Sequence, residues 1–255
     1  MSKHAGEQDM SSTTRTILKE DETLDSLACE NLHVLQKKQG YRYSLDAYLL
    51  AASVQEAPGT RVIDIGSGSG VVSILLAAVK DLRVTGVEIQ DDMADMSRRS
   101  VELAGLQDRV EIECADIRQY RGVKFDVVVS NPPFRPVHTG RINPDPGRAV
   151  ARHEISLDLE TLLTCSYDLL NPGGRFYVVY PAWRLPDLIS SMRSKRIEPK
   201  RLLFVHSTPS SSAEICLVGG LRDGGRELNV CRPLFVCLLY TSDAADALLC
   251  VDLGA

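Results

Sequence analysis

The chain has 255 residues, of which 44% are hydrophobic and 25% charged, and its formal net charge is −5. A chain of this length can bury a sizeable core, and it contains neither an apolar run of membrane-spanning length nor a secretory signal. We therefore expect a cytoplasmic protein that is not bound to a membrane. The seven cysteines are scattered without a Cys-x-x-Cys pair, and the five histidines form no ligand pattern. The sequence thus predicts no disulfide framework and no metal site.

The N-terminal part of the chain is the least informative. Residues 1–23 are polar and lack apolar periodicity, which predicts a flexible segment. Leu32–Leu35 predicts a short strand, and a helix is expected to start near Ser44, because apolar residues follow at helical spacing. This region would cap a ligand pocket.

A strand, a glycine turn and a helix come next. The apolar runs Val62–Ile65 and Val71–Val79 predict the strand and the helix. The turn between them has three glycines at alternate positions: Gly66, Gly68 and Gly70. Such glycines let the backbone pass close under a ligand, and the helix presents free N–H groups at its start. Asp64 could hold an ammonium group, and the glycine spacing differs from the Gly-x-Gly-x-x-Gly of dinucleotide folds, which disfavours an NAD oxidoreductase.

Two later strands also end near carboxylates. Arg83–Glu88 ends at a residue that could take both hydroxyls of a ribose, and Ile89 follows it. After Val110–Cys114, Asp116 could accept from an adenine amine while Ile117 packs on the ring. Each carboxylate alone is equally compatible with an ordinary strand end. In this order, at the carboxyl ends of successive strands, they outline S-adenosylmethionine.

The next strand, Phe125–Ser130, runs directly into Asn131, Pro132, Pro133 and Phe134. The two prolines supply carbonyls but no N–H, the asparagine adds another carbonyl, and the phenylalanine can lie flat on a ring. A site rich in acceptors and poor in donors suits a planar amino group. Two prolines alone would also suit a loop that only ends a strand, and the preceding glycine motif favours the functional reading.

The later elements complete the predicted fold. Helices are expected at Asp91–Ala104, Leu157–Leu170 and about Pro186–Arg196, and strands at Arg175–Tyr180, Arg201–His206 and Glu214–Val218. The helix before Asn171-Pro172-Gly173-Gly174 should stop there. The alternation of strands and helices predicts an α/β protein with a doubly wound, mostly parallel Rossmann-like sheet. The last two strands lack an intervening helix and should form an antiparallel edge hairpin.

These motifs resemble class I S-adenosylmethionine-dependent methyltransferases of the Asn-Pro-Pro-Phe/Tyr type, and among them the bacterial tRNA adenine-N6 methyltransferases. The closer similarity rests on Leu35–Ala51, the Asn131 motif and Arg148–Glu154. The resemblance implies a seven-stranded sheet, S-adenosylmethionine as cofactor, and a single methyltransferase domain over residues 24–236. It also implies that Tyr43 and Asp46 close over the methionine end of the cofactor, although Tyr43 is equally compatible with a core position.

Charge is unevenly distributed. From Arg118 to Arg201 there are fourteen lysines and arginines against eight aspartates and glutamates, a local net charge of +6. These residues could neutralise RNA phosphates, or they could form solvated helix faces. The substrate-binding candidates follow the Asn131 motif: Pro133, Arg135, Arg148, Arg152 and His153. His153 has the alternative of pairing with Glu154 at a helix start, and the long loop Pro136–Arg148 is expected to order on binding.

The sequence therefore predicts methyl transfer to an exocyclic amine, most specifically adenine N6 in tRNA, with Asn131, Pro132 and Phe134 as the catalytic residues. Protein glutamine N5-methylation, ribosomal RNA guanine-N2 methylation and a non-catalytic RNA-binding role remain alternatives. A monomer is favoured. Residues 237–255 resemble translated sequencing-adapter sequence and are set aside, the alternative being a genuine helix at Ser242–Leu249.

Overall fold

The computed structural model describes residues 18–27, 32–39, 42–132 and 157–236. The strands are β1 (Glu22–Ser26), β2 (His33–Lys37), β3 (Arg61–Ile65), β4 (Arg83–Glu88), β5 (Val110–Cys114), β6 (Phe125–Ser130), β7 (Leu170–Pro181), β8 (Ile197–His206), β9 (Ala213–Arg222), β10 (Asn229–Val230) and β11 (Leu234–Phe235). The helices are α1 (Leu45–Ser53), α2 (Val71–Lys80), α3 (Asp91–Leu103), α4 (Leu159–Leu169) and α5 (Leu185–Ser194), with a 3-10 turn at Ala182–Arg184. Within these ranges, no helix is long and apolar enough to cross a membrane.

The main sheet has the strand order β10-β8-β9-β7-β6-β3-β4-β5, and β11 also pairs with β8. Strands β5, β4, β3, β6 and β7 are parallel, whereas β9 is antiparallel to both β7 and β8. The predicted doubly wound, mostly parallel sheet is confirmed. After β3 the chain builds first towards β5 and then returns to the other side through β6, so the carboxyl ends of β3 and β6 lie at the switch point where such sheets bind ligands.

The predicted antiparallel hairpin is present and differs from the prediction only in its extent. Strands β8 and β9 are both longer than expected, and β8 is followed outwards only by two short strands. The two-residue strands β10 and β11 pair with β8, so the described residues form a nine-stranded sheet. Strands of two residues carry too little alternation to be recognised in a sequence.

The predicted turn after α4 is part of a strand. The helix ends at Leu169, as the Asn-Pro-Gly-Gly sequence indicated, but β7 begins at the next residue. Leu170 pairs with Phe125 and Arg175 with Val127, so the register shifts within this stretch. A bulge of this kind absorbs the extra residues without ending the pairing, and Gly173 permits it with φ of 71°.

Of the hairpin β1–β2, the sequence predicts only the second strand: Glu22 and Thr23 fall in the expected flexible segment, and no strand is expected at residues 24–26. Glu22 is 1% exposed, and its carboxylate accepts two hydrogen bonds of 2.7 Å from the guanidinium of Arg99 in α3. That contact holds the pKa of Glu22 below its usual value. This contact joins residues that are 77 positions apart in the chain, so it leaves no local periodicity for sequence analysis to detect.

Two hydrophobic clusters cover the two faces of the sheet. Val62 and Val127 belong to the cluster that packs against α1, α2 and α3, whereas their neighbours Ile63 and Val128 belong to the cluster that packs against α4 and α5. Successive side chains of a strand point to opposite faces. Both faces of β3 and β6 are therefore buried, and this packing holds the two strands, and so their carboxyl ends, in place.

Candidate active site

The glycine turn between β3 and α2 adopts a conformation that requires glycine. The φ angles of Gly66, Gly68 and Gly70 are 75°, 56° and 82°. A Cβ atom on Gly70 would lie 2.2 Å from Oγ of Ser97 in α3, so a side chain at this position would also force Ser97 to move. The backbone N–H groups of Gly66 and Ser67 donate to the carbonyl of Val87, which ties the turn to the end of β4.

Glu88 joins the glycine turn to the loop that follows β4. Its carboxylate is buried and accepts one hydrogen bond of 2.9 Å from the backbone N–H of Gly68 and another of 2.9 Å from that of Gln90. Backbone donors on both sides fix the carboxylate at the carboxyl end of β4. The geometry suits a ligand diol, and the ribose-binding role of Glu88 stays a prediction.

A cleft opens at the carboxyl ends of β3, β4, β5 and β6. It brings together six residues that were predicted for the site: Gly66, Glu88, Ile89, Asp116, Ile117 and Pro132. It is also lined by residues that were not predicted, including Gln90, Arg118, Leu157, Asp158 and Thr161. Five of the ten predicted cofactor residues and the first proline of the acceptor motif therefore face one cavity.

The chemistry of this cleft fits S-adenosylmethionine. Ile89 is 39% exposed although it is a large apolar residue, and together with Ile117 it forms an apolar wall that a planar ring could cover. Glu88 supplies a carboxylate beside that wall. An adenine ring on the isoleucines would thus have its ribose within reach of the acid.

Asp116 lies at the far side of the cleft and is paired with Arg118. The guanidinium donates to both carboxylate oxygens, and the backbone N–H of Arg118 donates to Oδ1. These contacts lower the pKa of Asp116, which keeps it ionised. A carboxylate oxygen has more than one lone pair, so Asp116 can still accept from an amine.

Asp64 lies behind the glycine turn rather than in the cleft lining. It is 1% exposed, and the hydroxyl of Ser73 in α2 donates to its carboxylate at 2.8 Å. Burial raises its pKa to about 7, and the nearby charge of Glu88 adds to the effect. Gly68 and Gly70 likewise shape the turn without lining the cleft. Whether Asp64 holds the cofactor's ammonium group stays a prediction.

The acceptor motif emerges from the end of β6, next to the end of β3. The buried hydroxyl of Ser130 donates to the carbonyl of Ile65 at 2.8 Å, and these two residues immediately precede the Asn131 motif and the glycine turn. Asn131 is half-buried and Pro132 is buried. The third predicted catalytic residue, Phe134, and all the predicted substrate-binding residues lie outside the described residues: Pro133, Arg135, Arg148, Arg152 and His153.

Tyr43 and Asp46 precede and begin α1 and do not line the cleft. Tyr43 is half-buried with its ring 5.9 Å from that of Tyr48, and burial raises its pKa. Burial also raises the pKa of Asp46. The cofactor roles of Tyr43 and Asp46 stay predictions. A side chain that does reach the glycine turn from this region is that of Gln36.

Gln36 is 1% exposed and was missed by sequence reasoning. Its amide nitrogen donates to Oγ of Ser69 in the glycine turn at 2.6 Å, and its amide oxygen accepts from the backbone N–H of Tyr43 at 3.1 Å. It thus joins the β1–β2 hairpin, the glycine turn and the entry to α1. A polar residue inside an apolar strand was the available signal.

Across the ranges that the structure describes, no group of three or more His, Cys, Asp or Glu residues could hold a metal ion. The cysteines within those ranges, Cys114, Cys165, Cys216 and Cys231, are free thiols.

The doubly wound sheet, the glycine turn and the cleft at the switch point define a class I S-adenosylmethionine-dependent methyltransferase. The chain belongs to the family described as methyltransferase small domain, which matches residues 41–184.

Individual relatives agree with this assignment. The chain is 31% identical over 175 residues to a protein of Phocaeicola vulgatus named tRNA1(Val) (adenine(37)-N6)-methyltransferase, covering 68% of this chain and 74% of the relative. A protein of the same name from Porphyromonas gingivalis is 34% identical, with coverage of 66% and 69%. Among solved structures, a predicted O-methyltransferase of Agrobacterium tumefaciens superimposes with a TM-score of 0.60 at 23% identity, over 75% of this chain and 88% of that one, and supports the fold alone.

Proposed function

We propose that this protein transfers the methyl group of S-adenosylmethionine to N6 of an adenine in tRNA, and that the base is adenine 37 of a valine tRNA. The observation that carries the chemistry is the shared cleft: Pro132 of the acceptor motif lines the same cavity as Glu88 and Ile117. The relatives' names supply the substrate class. The local net charge of +6 between Arg118 and Arg201 is compatible with a polyanionic partner.

The reaction needs little more than positioning. An adenine amino group is a poor nucleophile, because its lone pair is delocalised into the ring. If the carboxamide oxygen of Asn131 and the carbonyl of Pro132 each accept one N–H, the nitrogen is held and its lone pair faces the sulfonium methyl group. Acceptors of this kind strengthen as positive charge builds on nitrogen during the in-line displacement. The product can then lose its proton to water, so no general base is required.

The bond between Ser130 and Ile65 supports this geometry. It joins the residue before the acceptor motif to the residue before the glycine turn at 2.8 Å. The methyl donor and the methyl acceptor are therefore carried by two strand ends with a fixed relative position. Precise alignment of this sort is a large part of catalysis in transfers between two bound substrates.

Glutamine N5 of a release factor is the second candidate, because an amide offers the same planar amino group to the same acceptors. Guanine N2 in ribosomal RNA is the third. The positive stretch favours RNA over protein, and the relatives' names favour adenine in tRNA over guanine in ribosomal RNA.

The test is methyl transfer from labelled S-adenosylmethionine to unmodified tRNA, ribosomal RNA and release factor in parallel, followed by digestion to nucleosides or amino acids. We expect N6-methyladenosine from valine tRNA, and none from the same tRNA in which adenine 37 is replaced by guanosine. Label in methylglutamine or N2-methylguanosine, with none in N6-methyladenosine, would overturn the proposal.

A further inference from the structure

Trp183 follows the carboxyl end of β7, on the same side of the sheet as the carboxyl end of β6, where the acceptor motif begins. Strand β7 runs parallel to β6, with Val178 opposite Ser130, and ends at Pro181. Adjacent strands are about 4.8 Å apart and rise about 3.3 Å per residue. The turn Ala182–Arg184 therefore follows the carboxyl end of the strand next to Asn131, roughly 10 Å further along the strand direction.

The indole of Trp183 is 70% exposed, which is a large apolar surface to leave in water. The guanidinium of Arg184 lies over the indole ring, 5.8 Å from its centroid, and 5.2 Å from the centroid of the Tyr180 ring. Arg184 is itself contacted by Asp187 at 3.4 Å. An exposed aromatic ring therefore lies beyond the carboxyl end of β7 with a cation over one face, the combination that stacks bases and attracts phosphates in single-stranded RNA.

We propose that Trp183 is a stacking platform for a nucleobase of the RNA substrate that neighbours the methylated base. This inference rests on the proposed function. A base that enters a methyltransferase cleft must leave its own stack, and the adjacent nucleotide then loses a stacking partner. Trp183 offers a replacement surface at the rim of the acceptor side, and Arg184 supplies positive charge to the backbone beside it. The platform reads no particular sequence, because every base has an aromatic face.

The chain contains one tryptophan, so its fluorescence reports on this position alone. Titrating the wild-type protein, in the presence of S-adenosylhomocysteine, with an unmodified anticodon stem-loop of valine tRNA should quench the emission after correction for absorption by the RNA. The dissociation constant from quenching should agree with that from an independent binding measurement. Quenching is expected because a stacked base contacts the indole directly.

Variants separate stacking from a general loss of structure. Trp183→Ala should raise the RNA dissociation constant about tenfold, within the range for one base stacked on an aromatic residue, and Trp183→Phe should raise it less. The affinity for S-adenosylmethionine should stay unchanged in both. Val230→Ala is the matched control, since it removes part of an apolar side chain that is 57% exposed on the edge strand β10, three strands away from β7.

The outcomes distinguish this inference from the function beneath it. If the wild type methylates the stem-loop but saturating RNA leaves the fluorescence unchanged, or Trp183→Ala binds RNA as tightly as the wild type, the platform is refuted and the proposed function stands. If the wild type neither binds nor methylates RNA and instead methylates a protein, both are refuted.

Discussion

Replacing Asp64 with asparagine is expected to change how stability depends on pH. The carboxylate is fully buried and its pKa is raised from 3.8 to about 7. Because the folded-state pKa is the higher one, the folded protein holds a proton that the unfolded chain has released between these values. Stability is therefore lost as pH rises through that window, and the loss is complete above pH 7. Asparagine has no such titration.

The size of the effect follows from the two pKa values. Between about pH 5 and pH 8, titration of Asp64 lowers the free energy of unfolding of the wild type by about 3 kcal/mol, and the variant lacks this decrease. The free energy of unfolding of Asp64→Asn minus that of the wild type should rise by this amount over the interval. The buried amide of the variant adds a donor that needs a partner, which shifts its free energy of unfolding by the same amount at every pH. The change of the difference with pH, rather than its value at one pH, therefore tests the titration of Asp64.

The assay is urea denaturation of both proteins at several pH values, with the free energy of unfolding obtained by linear extrapolation. Asp108→Asn, which removes an exposed carboxylate, controls for the general effect of lost charge. A difference between Asp64→Asn and the wild type that stays constant from pH 5 to pH 8 would refute the reasoning about burial. If Asp64 also holds the cofactor's ammonium group, the variant should bind S-adenosylmethionine more weakly.

Three further substitutions test the supports of the cleft. Ser130→Ala removes the hydrogen bond to Ile65, so the free energy of unfolding measured in urea should fall by about 1 kcal/mol. The single-turnover rate should also fall while the affinity for the cofactor is unchanged, and an unchanged rate would contradict the positioning role. Gln36→Ala should weaken cofactor binding in calorimetry, because the glycine turn loses its contact with the amide, and equal affinity would contradict this. Gly70→Ala should abolish cofactor binding or folding, whereas Gly219→Ala, where a Cβ meets only ordinary contacts, should be tolerated; tolerance at both positions would refute the account of the turn.

The parts of the site that sequence could predict are those with a local signature. The strand and glycine turn at Gly66 combine apolar runs with a fixed spacing, and Glu88 and Asp116 follow strands that alternation identifies. Strand alternation also puts Asp64 on the same face as Val62, towards α2, which explains why it contacts Ser73 rather than the cleft.

The parts that escaped prediction depend on contacts between distant segments. Gln36 bonds to Ser69, and Ser130 to Ile65, and neither pair leaves any periodicity in the sequence. The β1–β2 hairpin was half missed for the same reason, since its first residue is held by Arg99. Local patterns identify the elements and their ends, whereas polar contacts across the fold align those ends into a site.

The central claim is that the acceptor motif and the cofactor pocket meet in a methyl-transfer site. The most direct measurement is the single-turnover rate of methyl transfer to unmodified valine tRNA by the wild type and by Asn131→Ala, with cofactor affinity determined for both. The account predicts that Asn131→Ala binds S-adenosylmethionine normally and loses at least about a hundredfold in rate, as expected when a preorganised acceptor is removed. An unchanged rate of N6-methyladenosine formation in that variant would contradict it.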